Sequence, residues 1–464
     1  FKSIVNTLIT KFSAALFGFL TLIIVSRALG SGGKGEQAMV VYNIYVLLLL
    51  FTLIGNSTLI YLTPRKKTPE LLAVSLLWIL ITAGTLSLLF LLLPANTLPH
   101  IQSCIWIGAM AAISEVNQYI LLGKQQITQA NTLKILYPLL SFLYLLILYI
   151  TSRFDTIQDC IQAIALAYTA SLLYGTAKLR HEYLRIRHQT PNRLWQTLKT
   201  LLQLGVTKQA GTIAQSLNYR LSYYIIGYSC GTSLVGIYSN AVSLSESVML
   251  FGTSLALVQY SALSNNPDDR KSKRITWKMT LANALFTLLA LLILALLPKE
   301  IYTHLFGNDF QDTGITIGKL AFGTLMLSLS SNFSQYLYSR GNFKISTAAS
   351  LLGLAVTLLA GLRLIPRYGI NGAVITATAS YITTFAIEFY GFLKYRNAAF
   401  EPRNPRNNPR FRRNQPEKPR NPPRKHGKHR LKTAKKTNFS PKQTKKTLPL
   451  HHANAENETK EKGS

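Results

Sequence analysis

Apolar residues in this chain come in long blocks. Leu71 to Leu93 holds no charged side chain, Phe286 to Leu297 holds none, and Leu351 to Leu364 holds only Arg363. A helix needs about 20 apolar residues to cross the hydrocarbon of a bilayer. A helix of a soluble core carries one apolar stripe, whereas these segments are apolar on every side, so their surroundings must be apolar too; this argues against a soluble α-solenoid. The pattern predicts an all-α membrane protein of about twelve transmembrane helices. They fall near residues 9–29, 38–62, 71–94, 101–122, 132–151, 159–177, 203–229, 233–259, 278–298, 314–338, 345–364 and 371–393. The first segment is too long for a signal h-region and lacks a small-x-small cleavage site, so it reads as a retained helix.

Loop charge fixes an orientation. With the N-terminus cytoplasmic, inner loops hold Arg65, Lys66 and Lys67, then Lys124, then Lys178, Arg180, Arg185, Arg187, Arg193 and Lys199, then Arg270, Lys271, Lys273 and Arg274, then Arg340 and Lys344. Outer loops hold only Lys34, Arg153, Lys299, Arg363 and Arg367. Lys and Arg thus gather on alternate loops, the distribution of the positive-inside rule, and both ends are expected on the cytoplasmic side of a bacterial inner membrane. Three cysteines, Cys104, Cys160 and Cys230, fall at predicted outer helix ends and read as small apolar residues.

The composition changes abruptly after the last block. Of the 464 residues 48% are hydrophobic, and the net charge is +32, much of it beyond residue 400. Residues 401–464 contain 19 Lys or Arg against 5 Asp or Glu, with many Pro and Asn, so they cannot bury enough apolar surface to offset ordering entropy. We therefore expect residues 396–464 to be a disordered, polybasic cytoplasmic tail attracted to anionic lipid headgroups, at about 1 kcal/mol per basic residue near the surface. An acidic partner protein is the alternative. Nucleic-acid binding is not expected, since Phe411 and Phe439 are the tail's only aromatic residues. His426 with His429, and His451 with His452, lack the Cys or paired carboxylates of a metal site, and no metal is expected.

Enzyme signatures are missing. Gly30 and Gly35 have phosphate-loop spacing, but Glu36-Gln37 stands where Lys-Ser/Thr must reach phosphate and Mg²⁺. There is no Gly-x-Ser-x-Gly elbow and no His-Glu-x-x-His. A membrane glycosyltransferase or polymerase remains as a competing reading, although the largest predicted outer loop, Pro298 to Thr313, offers only Glu300, Asp309 and Asp312 as acids.

The chain also echoes itself. Gly30-Ser31 followed by Gly35 matches Gly231-Thr232 followed by Gly236, and Gly123-Lys124 matches Gly341-Asn342. Units of six helices start on the same side of the membrane, so two such units are parallel repeats with a path for substrate between them. The expected organisation is a first lobe at 1–200, a second at 201–395, and the tail.

Longer motifs carry a family resemblance. They are Ser26-Arg27-Ala28-Leu29-Gly30 with Gly33-Lys34-Gly35-Glu36 and Leu53-Ile54-Gly55-Asn56-Ser57; Leu217-Asn218-Tyr219-Arg220-Leu221 leading to Val235-Gly236-Ile237-Tyr238-Ser239; and Pro366-Arg367-Tyr368-Gly369-Ile370-Asn371-Gly372-Ala373. Over residues 1 to about 395 the chain resembles the multidrug/oligosaccharidyl-lipid/polysaccharide exporter superfamily, and within it the polysaccharide-biosynthesis (O-antigen, Wzx-type) flippases. In many relatives an Asp stands where Ser222 stands here. The resemblance implies two six-helix lobes around a central cavity, alternating access, and a polyprenyl-pyrophosphate-linked oligosaccharide carried outward for surface polysaccharide such as lipopolysaccharide. Partners would be membrane lipids, that lipid-linked substrate and polysaccharide assembly proteins. No cofactor is implied beyond an H⁺ or Na⁺ gradient. A cation-coupled multidrug antiporter of the same superfamily is the alternative.

Charges inside a membrane cost about 3 kcal/mol on insertion scales, so each is a functional candidate. Arg220 lies deep in the seventh predicted helix and either pairs with Glu246 on the next or lines a cavity, where its planar fork suits a pyrophosphate. Lys208, Arg27, Asn218, Tyr219 and Tyr223 are the other candidate substrate contacts. Tyr219, Tyr223 and Tyr224 either stack on sugars or simply border water. Glu115, Glu246 and Glu36 are the candidate coupling carboxylates, with a packing hydrogen bond as the alternative for Glu115 and a structural pair or headgroup contact for Arg27 and Glu36. Lys208 and Glu388, near the inner surface, also read as snorkelling residues.

Overall fold

A computed structural model of the chain describes residues 2–55, 57–92, 99–264 and 268–394. The expected tail, 396–464, lies outside them. Thirteen α-helices are described: α1 Lys2–Phe51, α2 Ser57–Leu62, α3 Thr68–Leu91, α4 Ile101–Gly123, α5 Ile127–Ile150, α6 Ile157–Lys178, α7 Arg180–Leu184, α8 Pro191–Cys230, α9 Thr232–Ser264, α10 Asp269–Leu296, α11 Lys299–Phe306, α12 Thr313–Ser339 and α13 Phe343–Lys394. Among the described residues nine helices are long and apolar enough to cross a bilayer. Two of the nine are double. The apolar part of α1, Ile9–Phe51, has 43 residues, about 65 Å if straight and twice the hydrocarbon thickness. It turns at Gly30 (φ 62°, ψ −166°), a conformation open to glycine and closed to side-chain-bearing residues. The 52-residue α13 turns likewise at Gly369 (φ 54°, ψ −127°), three residues after Pro366. With α8, which has the length but not the hydropathy, these make the twelve expected crossings.

Contacts between distant residues confirm that α1 doubles back. Asn131 Nδ2 donates to Thr7 Oγ1 at 3.1 Å, and Thr63, just past the other end of α1, packs against Gly123 beside the same α4–α5 turn. Both ends of α1 therefore lie at one end of the bundle, and Gly30 lies at the other. Gly231 and Gly369 share the Gly30 end by the alternation of the helices. The opposite end carries α7, where Lys124 pairs with Glu182 and Tyr183 Oη donates to Asn117 Oδ1 at 2.8 Å.

Two large apolar clusters form the interior. One draws on residues between Val40 and Leu201, with Phe51, Leu71 and Ile105 fully covered; the other centres on Ile226, Tyr238, Leu320 and Ala373 from α8, α9, α12 and α13. Residue 200, the expected limit of the first lobe, falls inside α8. The helix extends twelve residues upstream of its predicted start because Pro191 at its first position opens it within the basic stretch read as linker.

The second half of α1 crosses α9 at backbone contact. A Cβ on Gly35 would lie 1.9 Å from the Thr232 carbonyl oxygen, and one on Gly236 would lie 1.9 Å from that of Ser31. The residues matched as an internal echo thus meet one another. Next to this seam, the predicted outer loop after α10 folds into α11 and a single 3₁₀ turn, Asn308–Phe310, whose Asp309 carboxylate accepts from the Ser31 amide at 2.9 Å and the Ser31 hydroxyl at 2.7 Å.

Deep within α9, α10 and α12 lies a buried polar network. Gln259 Nε2 donates to the Asn332 carbonyl at 2.9 Å, Asn332 Nδ2 to Gln259 Oε1 at 2.7 Å, and Asn283 Nδ2 to Asn332 Oδ1 at 2.7 Å. Interhelical amide bonds of this kind hold helices together in lipid, where apolar faces alone give no preference for protein over solvent.

Candidate functional site

Helix α8 is too polar for a lipid-facing span because one of its faces is lined with polar groups. Gln215, Tyr219 and Tyr223, spaced i, i+4, i+8, and Arg220 beside them border a cavity of about 850 Å³. From α9 the stripe Ser239, Ser243, Ser247 and the adjoining Glu246 faces the same space; from α1 come Lys34, Gln37 and Tyr45, and from α5 and α6 Tyr137 and Tyr168. The volume lies in the range of small-molecule sites.

Charge in the cavity is sparse. Among the described residues its only charged groups are Lys34, Arg220 and Glu246, two cations against one carboxylate. Arg220 donates to Glu246 through both terminal nitrogens, Nη1 to Oε1 at 2.6 Å and Nη2 to Oε2, a bidentate pair. Its guanidinium also lies 5.3 Å from the centre of the Tyr223 ring. Lys34 is 5% exposed and donates to Gln37 Oε1 at 2.6 Å. Arg220 therefore both pairs with Glu246 and lines the cavity, the two arrangements the sequence left open.

Tyrosines make up much of the remaining wall. Tyr42 Oη donates to the Ser216 carbonyl at 2.9 Å, Tyr45 shares a 3.4 Å bond with Ser216 Oγ, and Tyr219 Oη accepts from Gln215 Nε2 at 2.6 Å. Tyr137 and Tyr168 stack, with centroids 4.4 Å apart and planes 13° from parallel.

Other expected site residues lie elsewhere. Asn218 is buried away from the cavity, its Oδ1 accepting from Ser380 Oγ at 2.6 Å and from Thr357 Oγ1. Two residues before Arg220 on a helix is about 200° around the axis, which turns Asn218 towards α13. Tyr224 donates to Asn43 Oδ1 rather than lining the cavity. Arg27 and Glu36 are both exposed and form no ion pair among the described residues, because the chain turns between them at Gly30 and carries their side chains outward. Glu115 accepts from Tyr119 Oη at 3.1 Å, apart from the cavity lining, so Glu246 alone of the three candidate carboxylates borders it. Glu388 does not snorkel: at 4% exposed it is covered where α13 packs on α12. Lys208 lies in α8, but its side chain is outside the described residues, as are the four tail histidines. The three cysteines are free, Cys104 and Cys160 buried.

Sequence reasoning missed Lys34, Gln37, Tyr137 and Tyr168. The apolar block resumes only at 38, which puts Lys34 in an expected loop; the signal for its true place is the spacing Lys34, Gln37, Val41, Tyr45, one face of a helix already begun.

The described residues thus form a polytopic helical bundle with a sparsely charged cavity inside it. The family described as Polysaccharide biosynthesis protein matches residues 161–315. The capsular polysaccharide biosynthesis protein CapF of Staphylococcus aureus is 24% identical over 182 residues, 39% of this chain and 46% of that protein. The chain spans about half the length of the curated relatives it matches. In fold it is similar to an inward-facing multidrug resistance MATE family transporter of the MOP superfamily, with TM-score 0.68, 16% identity and coverage of 82% of this chain and 94% of the other. It is equally similar to the lipid II flippase MurJ in an inward closed conformation, with TM-score 0.67, 11% identity and coverage of 83% and 87%. The expected resemblance to that superfamily and to polysaccharide-biosynthesis proteins is borne out, and the fold is that of its transporters.

Proposed function

We propose that this protein is a flippase that moves a polyprenyl-pyrophosphate-linked oligosaccharide across the bacterial cytoplasmic membrane by alternating access, for surface polysaccharide synthesis. The observation that carries this reading is the cavity, where Arg220 and Lys34 outnumber Glu246 inside a membrane-spanning bundle. A buried guanidinium offers a planar fork to a diphosphate that competes with the Glu246 carboxylate for it. Loop charge makes the α7 end cytoplasmic and the Gly30 end external, so the diphosphate enters among basic loops while the lipid tail stays in hydrocarbon. Under this reading the polybasic tail lies on the inner headgroups, and an H⁺ or Na⁺ gradient drives the cycle.

The likeness to a multidrug transporter supports a second reading, export of organic cations by a coupled antiporter. A cavity with excess positive charge opposes that cargo. In proteoliposomes, a short-chain fluorescent polyprenyl-diphosphate sugar placed in one leaflet should become accessible from the other at least tenfold faster with protein than without. Movement of ethidium under an imposed H⁺ or Na⁺ gradient, with no movement of the lipid-linked sugar, would replace the flippase by the antiporter.

A further inference from the structure

A tyrosine hydroxyl at the edge of a cavity is completed by water or by whatever displaces that water. Six tyrosines line the cavity. Tyr42, Tyr45 and Tyr219 are bonded to Ser216 or Gln215, and the Tyr223 ring faces the Arg220 guanidinium. The hydroxyls of Tyr137, Tyr168 and Tyr223 have no hydrogen-bond partner among the described residues; Tyr137 and Tyr168 are half-buried, and their rings form the closest stacked tyrosine pair in the cavity. Phenylalanines would pack α5 against α6 equally well without leaving two hydroxyls open. Their partner belongs to whatever fills the cavity.

The chemistry of that occupant follows from what the pair offers, flat apolar rings with hydroxyls at their rim. A pyranose matches it, with a face of C–H bonds and an edge of hydroxyls that both donate and accept. A diphosphate does not, because it is an acceptor that gains more from cations, and those sit on α1 and α8. We infer that the Tyr137–Tyr168 pair is a saccharide subsite, which reads the sugars of the cargo while Arg220 and Lys34 hold its diphosphate. The inference rests on the flippase reading and divides the cavity into two walls. The wall of α1, α8 and α9 recognises the carrier common to all such lipids, and the α5 and α6 wall recognises the sugar.

The test uses the full chain in lipid nanodiscs with two probes, farnesyl diphosphate and farnesyl-diphospho-N-acetylglucosamine, and reads binding by intrinsic tryptophan fluorescence with calorimetry as a check. Wild type should bind the sugar-bearing probe about tenfold more tightly than the bare diphosphate. The double variant Tyr137→Phe/Tyr168→Phe, which keeps the stack and removes both hydroxyls, should lose that tenfold while its affinity for farnesyl diphosphate changes less than twofold. An equal loss for both probes, or an unchanged preference for the sugar, overturns the subsite. Wild type binding the two probes equally also overturns it but leaves the flippase standing, provided Arg220→Ala weakens both. If wild type binds neither probe, both readings fall together.

Discussion

The Gln259–Asn332–Asn283 network and the cavity beside Arg220 are both polar, both surrounded by apolar helices, and both partly built by α9. In the network each amide answers another, and the three side chains are fully buried with distances of 2.7 to 2.9 Å. In the cavity Arg220 and Glu246 satisfy each other but remain 23% and 28% exposed as side chains, and the hydroxyls of Tyr137, Tyr168 and Tyr223 have no partner among the described residues. A polar group inside a membrane thus has two stable fates. It closes on its neighbours and fixes the helices, or it is held at a surface where water or cargo completes it. Burial separates them here, with the network side chains fully covered and the cavity ion pair partly exposed.

Helix α9 runs from the seam at Gly236 past the cavity to the network, so substitutions along and across from it can break or sharpen this contrast. The largest effect should come from Gly236→Ala, whose methyl would sit 1.9 Å from a backbone oxygen. We expect a loss of more than about 4 kcal/mol in stability, seen as failure to recover monodisperse protein in detergent. An unchanged melting temperature would mean that the two backbones do not touch. Next, Arg220→Ala should reduce transport by about two orders of magnitude, equivalent to about 2.7 kcal/mol, with little change in thermal unfolding because Glu246 keeps access to water. The reversed pair, Arg220→Glu with Glu246→Arg, should recover any lost stability but not transport; full recovery of transport would reduce the pair to a structural lock. The smallest effect is expected for Asn332→Ala, about 2 kcal/mol of stability from orphaned amides, with transport per folded molecule unchanged. A transport defect larger than the stability defect would move the network from the first fate to the second.

Crossings were legible because hydrocarbon imposes length and composition on any helix that meets lipid. The exceptions were physical. Helix α8 gave a weaker signal because its polar stripe faces the cavity, and the single-residue turn at Gly30 hid the boundary between the first two crossings, which displaced Lys34 into a loop. Arg220 and Glu246 were legible through the cost of burying charge. The place of Asn218 was not legible, because its closeness to Arg220 in sequence is not closeness in space: two steps along a helix face nearly opposite directions. Tyr137 and Tyr168 gave no signal at all. A tyrosine in an apolar segment looks like packing until the absence of a partner for its hydroxyl is seen, and that absence exists only in three dimensions.

The contact between Gly35 and Gly236 has the form of an isologous interface within a single polypeptide. Ser31 corresponds to Thr232 and Gly35 to Gly236, and the pairs that touch are Ser31 with Gly236 and Gly35 with Thr232, so each motif meets its own counterpart in reverse. A dimer of identical subunits around a two-fold axis shows the same exchange. Here the two copies are encoded separately, and a change in either has no automatic complement in the other. A lineage carrying this seam should vary freely at the lipid-facing positions between these glycines while holding the two small-residue pairs in step, as if a symmetry operation were still enforcing them.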